Sequence, residues 1–151
     1  MTAELVAGVT DDEVFAAFPD VLIDRDNIAH YRGLLARRLL INQCSACGHW
    51  IYPHRPVCPR CLSWEVQATQ ISGNGRIFMF TLIHQERDRP GRLHEPVVAA
   101  AVELAEQPGL RYLARIVNCP VARVVVDMPV RLVWLTEDEV PAPAFEPVRA
   151  A

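Results

Sequence analysis

Cys44-Ser45-Ala46-Cys47-Gly48-His49 is followed, with ten residues between Cys47 and Cys58, by Cys58-Pro59-Arg60-Cys61. Two Cys-x-x-Cys turns at this separation can bring four thiolates into a tetrahedron about 2.3 Å from one zinc ion, because each short turn presents both sulfurs on one side. Gly48 supplies the left-handed backbone such a turn usually needs, and Pro59 stiffens the second turn between its ligands. The stretch reads as a structural zinc ribbon with Cys44, Cys47, Cys58 and Cys61 as ligands. With four thiolates in place no coordination position is left for water or substrate, so the metal holds structure and performs no chemistry.

Three other readings of these cysteines are weaker. Disulfides require an oxidising compartment, and the start Met-Thr-Ala-Glu has neither a basic n-region nor an apolar h-region. A thioredoxin-like redox pair needs one Cys-x-x-Cys at a helix start within a strand-helix-strand unit, not two pairs close together. Iron in a rubredoxin-like site stays open, since tetrahedral sulfur ligation suits iron as well as zinc. His49 and His54, between the two turns, are second-sphere or surface groups beside a completed tetrahedron.

The chain has 151 residues, 51% of them hydrophobic, enough for one core with a small appendage. Its formal charge is −3, which disfavours a broad nucleic-acid surface. No apolar run approaches the ~18 residues of a membrane span, and the expectation is a cytoplasmic protein with no membrane partner. All fifteen basic residues are arginine.

Before the cysteines, Thr10-Asp11-Asp12-Glu13 is a capping box ahead of Val14, Phe15 and Phe18, and predicts a short helix ending before Pro19. Asp24 or Asp26 caps a second helix from about Asn27 to Arg38, with Ile28, Tyr31, Leu34, Leu35 and Leu39 at helical spacing. Gly33 weakens that helix by about 1 kcal/mol relative to alanine. Phe15, Phe18, Tyr31 and Leu35 are candidate anchors for a partner surface, against the alternative that they cover the protein's own core. Arg32, Arg37 and Arg38 are expected on a solvated face.

After the cysteines the pattern changes to short strands. Ser72-Gly73-Asn74-Gly75 is a turn signal, Arg76 to His84 a long apolar strand, and a polar loop from Glu86 to Glu95 carries Arg87, Arg89 and Arg92 as candidate phosphate contacts. Pro96 to Leu104 and Leu110 to Val117 are strands with a turn at Gln107-Pro108-Gly109. Val121 to Met128 is a strand or a connecting turn, and Val130 to Leu135 is strongly β. Pro141 and Pro143 demote the tail to an edge strand around Ala144 to Val148. The chain is therefore expected to be mainly β: an N-terminal helical segment over 1–40, a rubredoxin-like zinc ribbon over 41–63, and a five-stranded OB-fold barrel with a C-terminal tail over 64–151.

Gln43-Cys44-x-x-Cys47-Gly48, Tyr52-Pro53-x-Arg55-Pro56-x-Cys58-Pro59-x-Cys61, Ser72-Gly73-x-Gly75, Met128-Pro129-Val130 and Pro143-x-Phe145-x-Pro147 together resemble a bacterial and archaeal family that joins a rubredoxin-like zinc ribbon to an OB fold, long known as a domain of unknown function (DUF). The resemblance spans the chain from about Pro19. It implies association with acyl-CoA metabolism as a non-catalytic partner of thiolase-superfamily enzymes, including lipid-transfer-protein-like thiolases and aldolases of steroid side-chain breakdown. It carries over the four cysteines as metal ligands and no catalytic residue. Val97 after Pro96 departs from the aromatic residue that relatives often have there, which weakens any ligand contact at that point.

The residues themselves agree with a non-catalytic role. His84 and His94 flank the arginine loop, but no nucleophile or carboxylate pair accompanies them, and Cys119 before Pro120 reads as a small buried residue. The competing function is a single-strand nucleic-acid binder stacking bases on Phe78, Phe80, Tyr112 and Trp134. A rubredoxin-like electron carrier is the third.

Overall fold

The computed structural model describes residues 8–84 and 95–148. Two helices, α1 (Asp11–Ala17) and α2 (Ile28–Leu35), precede eight strands: β1 (Leu40–Cys44), β2 (Trp50–Ile51), β3 (Val66–Gln70), β4 (Asn74–Ile83), β5 (Val97–Leu104), β6 (Arg111–Ile116), β7 (Pro129–Glu137) and β8 (Val140–Pro147). They form two compact units, one of residues up to Ser72 together with Trp134–Pro143, the other of Gly73–Val133 with the chain from Ala144.

In the first unit, α1 starts where the capping box predicts. The Thr10 hydroxyl accepts from Glu13 N–H, and the Glu13 carboxylate takes the Thr10 N–H at 2.7 Å, which holds its pKa below the ordinary carboxylate value. Neither Asp24 nor Asp26 caps α2: the N-cap is Asn27, which makes no side-chain cap bond, and Asp24 instead accepts from the N–H groups of Asp26 and Asn27 in the turn before the helix. The helix stops at Leu35, three residues short of the predicted end. Arg37 adopts φ +55° and the chain closes with Arg38 N–H on Gly33 O and Arg37 N–H on Leu34 O, the paired bonds of a Schellman motif. That turn sets up β1. Gly33 stands at its closest point: a Cβ there would lie 2.6 Å from the Arg38 carbonyl oxygen and 2.9 Å from Leu40. The glycine that costs helix propensity is thus required by packing.

Arg32, expected in solvent, is half-buried and pairs with Asp11, tying α2 to α1. Arg37 donates to Thr136 at 3.2 Å. Leu34, Leu39, Leu40, Ile41, Val14 and Ile71 are buried in this unit. Strand β1 is central in a three-stranded antiparallel sheet of order β2-β1-β3.

The second unit centres on a closed barrel of order β4-β5-β6-β8-β7. Alternation drives it: Val98, Ala100, Val102 and Leu104 on β5 are buried, as are Ile77, Tyr112, Ile116, Val130, Ala144 and Phe145 on the other four strands. Two expectations are corrected here. Asn74 and Gly75 belong to strand β4, not to a turn; Gly75 is needed because a Cβ would meet the Glu103 carbonyl at 2.6 Å, while Gly73, at φ +84°, makes the bend before the strand. The tail is no edge strand either, since β8 lies between β6 and β7, pairing in parallel with β6 at Arg115↔Ala144 and Ile116↔Phe145. Pro141, Pro143 and Pro147 share one parity along the strand, so the missing donors all lie on one side and the other side keeps its N–H groups for pairing. Glu146 locks the closure, accepting from Arg131 Nε and Nη2 at 2.9 and 2.7 Å and from Asn118 at 2.6 Å. The segment Val121–Arg123 is one turn of 3-10 helix rather than a strand.

Candidate metal centre

Each cysteine pair sits on a turn of the same construction. Gly48 N–H donates to Cys44 O at 2.8 Å with φ +73° at Gly48, and Leu62 N–H donates to Cys58 O at 2.9 Å with φ +62° at Leu62. Cys44 N–H to His49 O and Cys58 N–H to Ser63 O, both 2.9 Å, complete the turns. In the second turn a leucine thus occupies the left-handed position that a glycine holds in the first, and it is 72% exposed. A branched side chain there costs about 1 kcal/mol or more.

The two turns face each other. Cys44 and Cys61 Sγ are 3.6 Å apart, as are Cys47 and Cys58, and all four sulfurs lie within 4.8 Å of one another. Four ligands at 2.3 Å from one centre in a tetrahedron are separated by about 3.8 Å, whereas a disulfide requires about 2.05 Å. The cluster therefore fits a tetrahedral metal, and all five cysteines are free thiols. Cys44 and Cys58 are buried with Ile51, and Cys47 and Val66 pack against them.

The thiols are unequal. Burial opposes ionisation of Cys58, but the Cys61 and Arg60 backbone N–H groups and the Cys47 and Cys61 thiols outweigh it and bring Cys58 down to about 7. At Cys61 the Ser63 backbone bond favours the thiolate, yet the neighbouring thiols of Cys47, Cys44 and Cys58, with desolvation, push it up to about 12. A single negative charge is thus readily accommodated at the cluster and a second is resisted, which is the electrostatic demand a divalent cation relieves.

Among the described residues the four cysteines form the one group of three or more His, Cys, Asp or Glu side chains placed to hold a metal. His54 is not among them: its ring lies 4.7 Å from that of His30, with Tyr52 at 5.3 Å. His30 escaped the sequence reading because its position in α2 looks like any other. Of the suggested partner anchors, Phe18 and Tyr31 pack on each other at 5.0 Å, Leu35 is half-buried, and Phe15 is 49% exposed. Arg87, Arg89, Arg92 and His94 lie outside the described residues. Of the suggested base-stacking aromatics, Tyr112 is buried in the barrel and Phe80 half-buried, while Phe78 sits at a β-bulge with the Arg111 guanidinium 3.4 Å over its ring. Cys119 is partly exposed, not buried, its thiol 3.6 Å from the Pro120 carbonyl. No described helix is long and apolar enough to cross a membrane.

Residues 32–66 match the family model "ChsH2, rubredoxin-like zinc ribbon domain" and residues 68–135 match "ChsH2, C-terminal OB-fold domain". A chain of the solved structure "Ltp2-ChsH2(DUF35) aldolase" is 32% identical, with a TM-score of 0.72 over 84% of this chain and 98% of that one. This chain belongs to the DUF35 family. Among DUF35 relatives, a "DUF35 domain-containing scaffold protein" of Pyrococcus furiosus is 34% identical over 73 residues, 47% of this chain and 51% of that protein. A "Probable enoyl-CoA hydratase alpha subunit" of Thermomonospora curvata is 32% identical over 139 residues, 91% of this chain but 42% of that protein. The chain thus spans about half or less of these curated relatives. A DUF35 protein of Sulfolobus solfataricus, described as of unknown function, shares the fold at 18% identity and a TM-score of 0.60.

Proposed function

We propose that this DUF35 chain is a non-catalytic accessory subunit of a thiolase-superfamily enzyme, of the lipid-transfer-protein-like thiolase or aldolase type, acting on acyl-CoA thioesters in the cytoplasm. The observation that carries the reading is the match, over 84% of this chain and 98% of the other, to a chain of the Ltp2-ChsH2(DUF35) aldolase, whose name joins a DUF35 chain to an aldolase. The scaffold name of the archaeal relative supports the same role. The hydratase name belongs to a protein more than twice the length matched here, and is compatible with a DUF35 portion beside a separate catalytic portion.

In this reading zinc fills the four-cysteine site and staples the ribbon; a colourless protein with one zinc per chain is expected, and a red iron form would favour the electron-carrier alternative. The partner covers exposed apolar residues: Phe15 on the helical unit, and on the barrel the outward row in which Met79 and Leu113, 57% and 74% exposed, flank Ala101 in register. Arg87, Arg89 and Arg92 are suited to CoA phosphates by charge-assisted bonds. Steroid side chains are the narrower substrate class that the family resemblance suggests.

The test is co-expression with a thiolase-like protein of the same genome. Co-purification as a hetero-oligomer, with enzyme activity dependent on this chain, is expected. Failure to co-purify together with indifferent activity overturns the proposal, and a salt-dependent mobility shift with single-stranded oligonucleotides would replace it with nucleic-acid binding.

A further inference from the structure

His30 on α2 and His54 after β2 meet in an aromatic cluster that the metal site does not use. The His30 ring is 4.7 Å from His54, 5.1 Å from Tyr31 and 6.5 Å from Tyr52; Tyr31 in turn holds Phe18 at the end of α1, and Tyr52 stands edge-on to His54. Helical segment and ribbon are joined here ring against ring. The Leu40 carbonyl lies 2.8 Å from His30 Nδ1. A carbonyl only accepts, so that nitrogen carries the proton in the neutral ring. Both ring nitrogens of His54 are buried without a hydrogen-bond partner in the structure. Neither nitrogen of His54 has a hydrogen-bond acceptor beside it, and a charge on one ring faces the other.

We propose that α1 and α2 are a pH-released clamp on the ribbon, held by the neutral rings of His30 and His54 packed at a tilt and let go when the pair takes up a proton. The groups facing the pair bear this out. Tyr52 stays neutral near pH 7, since burial pushes it up. Asp24, from the segment before α2, favours a cationic His54, but desolvation first and His30 second outweigh it, and His54 falls to about 4. His30 is lowered too, by burial, against the opposing bond to Leu40.

The direction is fixed by linkage. Released rings take up protons near pH 6.5 and clamped rings only well below it, so the clamp is fully held above pH 6.5 and loses hold as the pH falls towards 4. With His54 alone moving from 6.5 to about 4, the clamping constant drops about 20-fold between pH 7 and pH 5.

Amide exchange of the full metal-loaded chain between pH 7 and pH 5, corrected for intrinsic exchange, tests this. Protection of α1 and α2 is expected to fall about 20-fold relative to β5, with bound metal unchanged. In His54→Phe, and independently in His54→Gln, most of that pH dependence should vanish, and in the unaltered chain the His54 ring protons should titrate below pH 6.5 together with release. Helix protection that stays constant over this window overturns the proposal, as does a wild-type fall that both variants retain, or one that tracks loss of metal.

Discussion

Replacing Gly33 by alanine separates what the helix asks for from what the packing allows. Helix propensity alone favours the change by about 1 kcal/mol. The added methyl, however, would sit 2.6 Å from the Arg38 carbonyl oxygen and 2.9 and 3.0 Å from two Leu40 side-chain carbons. Leucine can shift, but the carbonyl belongs to the backbone leaving the Schellman turn, whose Arg38 N–H is bonded to Gly33 itself at 2.8 Å. Forcing a methyl into such a contact costs about 2 to 3 kcal/mol, leaving a net loss of about 1 to 2 kcal/mol. All three tryptophans, Trp50, Trp64 and Trp134, fall in the same compact unit as Gly33, so their fluorescence during urea titration of the metal-loaded protein reports the right transition. Ala29→Gly in the same helix is the control and should lose about 1 kcal/mol by propensity. A Gly33→Ala midpoint higher than that of the unaltered protein would refute the packing argument.

Cys44→Ser removes a buried ligand and should abolish stoichiometric metal binding and unfold the ribbon, because structural zinc sites contribute on the order of 10 kcal/mol in peptide models; elemental analysis and tryptophan fluorescence read both effects. Chelation of the unaltered protein should give the same fluorescence change. Leu62→Gly relieves the left-handed backbone of the second turn while giving up little burial, so the midpoint should rise by an amount equivalent to about 0.5 to 1 kcal/mol, and a fall would show that Leu62 is held by contacts in the free chain. Glu146→Ala leaves Arg131 and Asn118 without their shared carboxylate and should cost about 1 to 2 kcal/mol, seen as faster amide exchange across β6 and β8.

Much of this was legible in the residues. The cysteine spacing picked out the four sulfurs that meet, the capping box placed α1, and the turn at Gly109 separated β5 from β6, because each is a local signal written in a few adjacent side chains. What escaped depends on contacts between distant segments. Arg37 ends α2 in a conformation usually given to glycine, so nothing nearby announced the stop. Gly75 looked like a turn residue although its smallness serves the approach of β5. The prolines of β8 suggested an edge because their shared parity matters only once the strand has neighbours. His30 and His54, twenty-four positions apart, had nothing to link them until the ribbon brought their rings together.

The order in which the barrel staves are laid down bears on synthesis. The three-stranded sheet is complete once Gln70 has been made, whereas β6 and β7 each wait with a bare flank for β8, which ends at Pro147. A nascent chain halted anywhere in between presents two sticky borders to other chains. Stalling or truncation before Ala144 should therefore yield a completed three-stranded ribbon attached to an open, self-adhesive sheet.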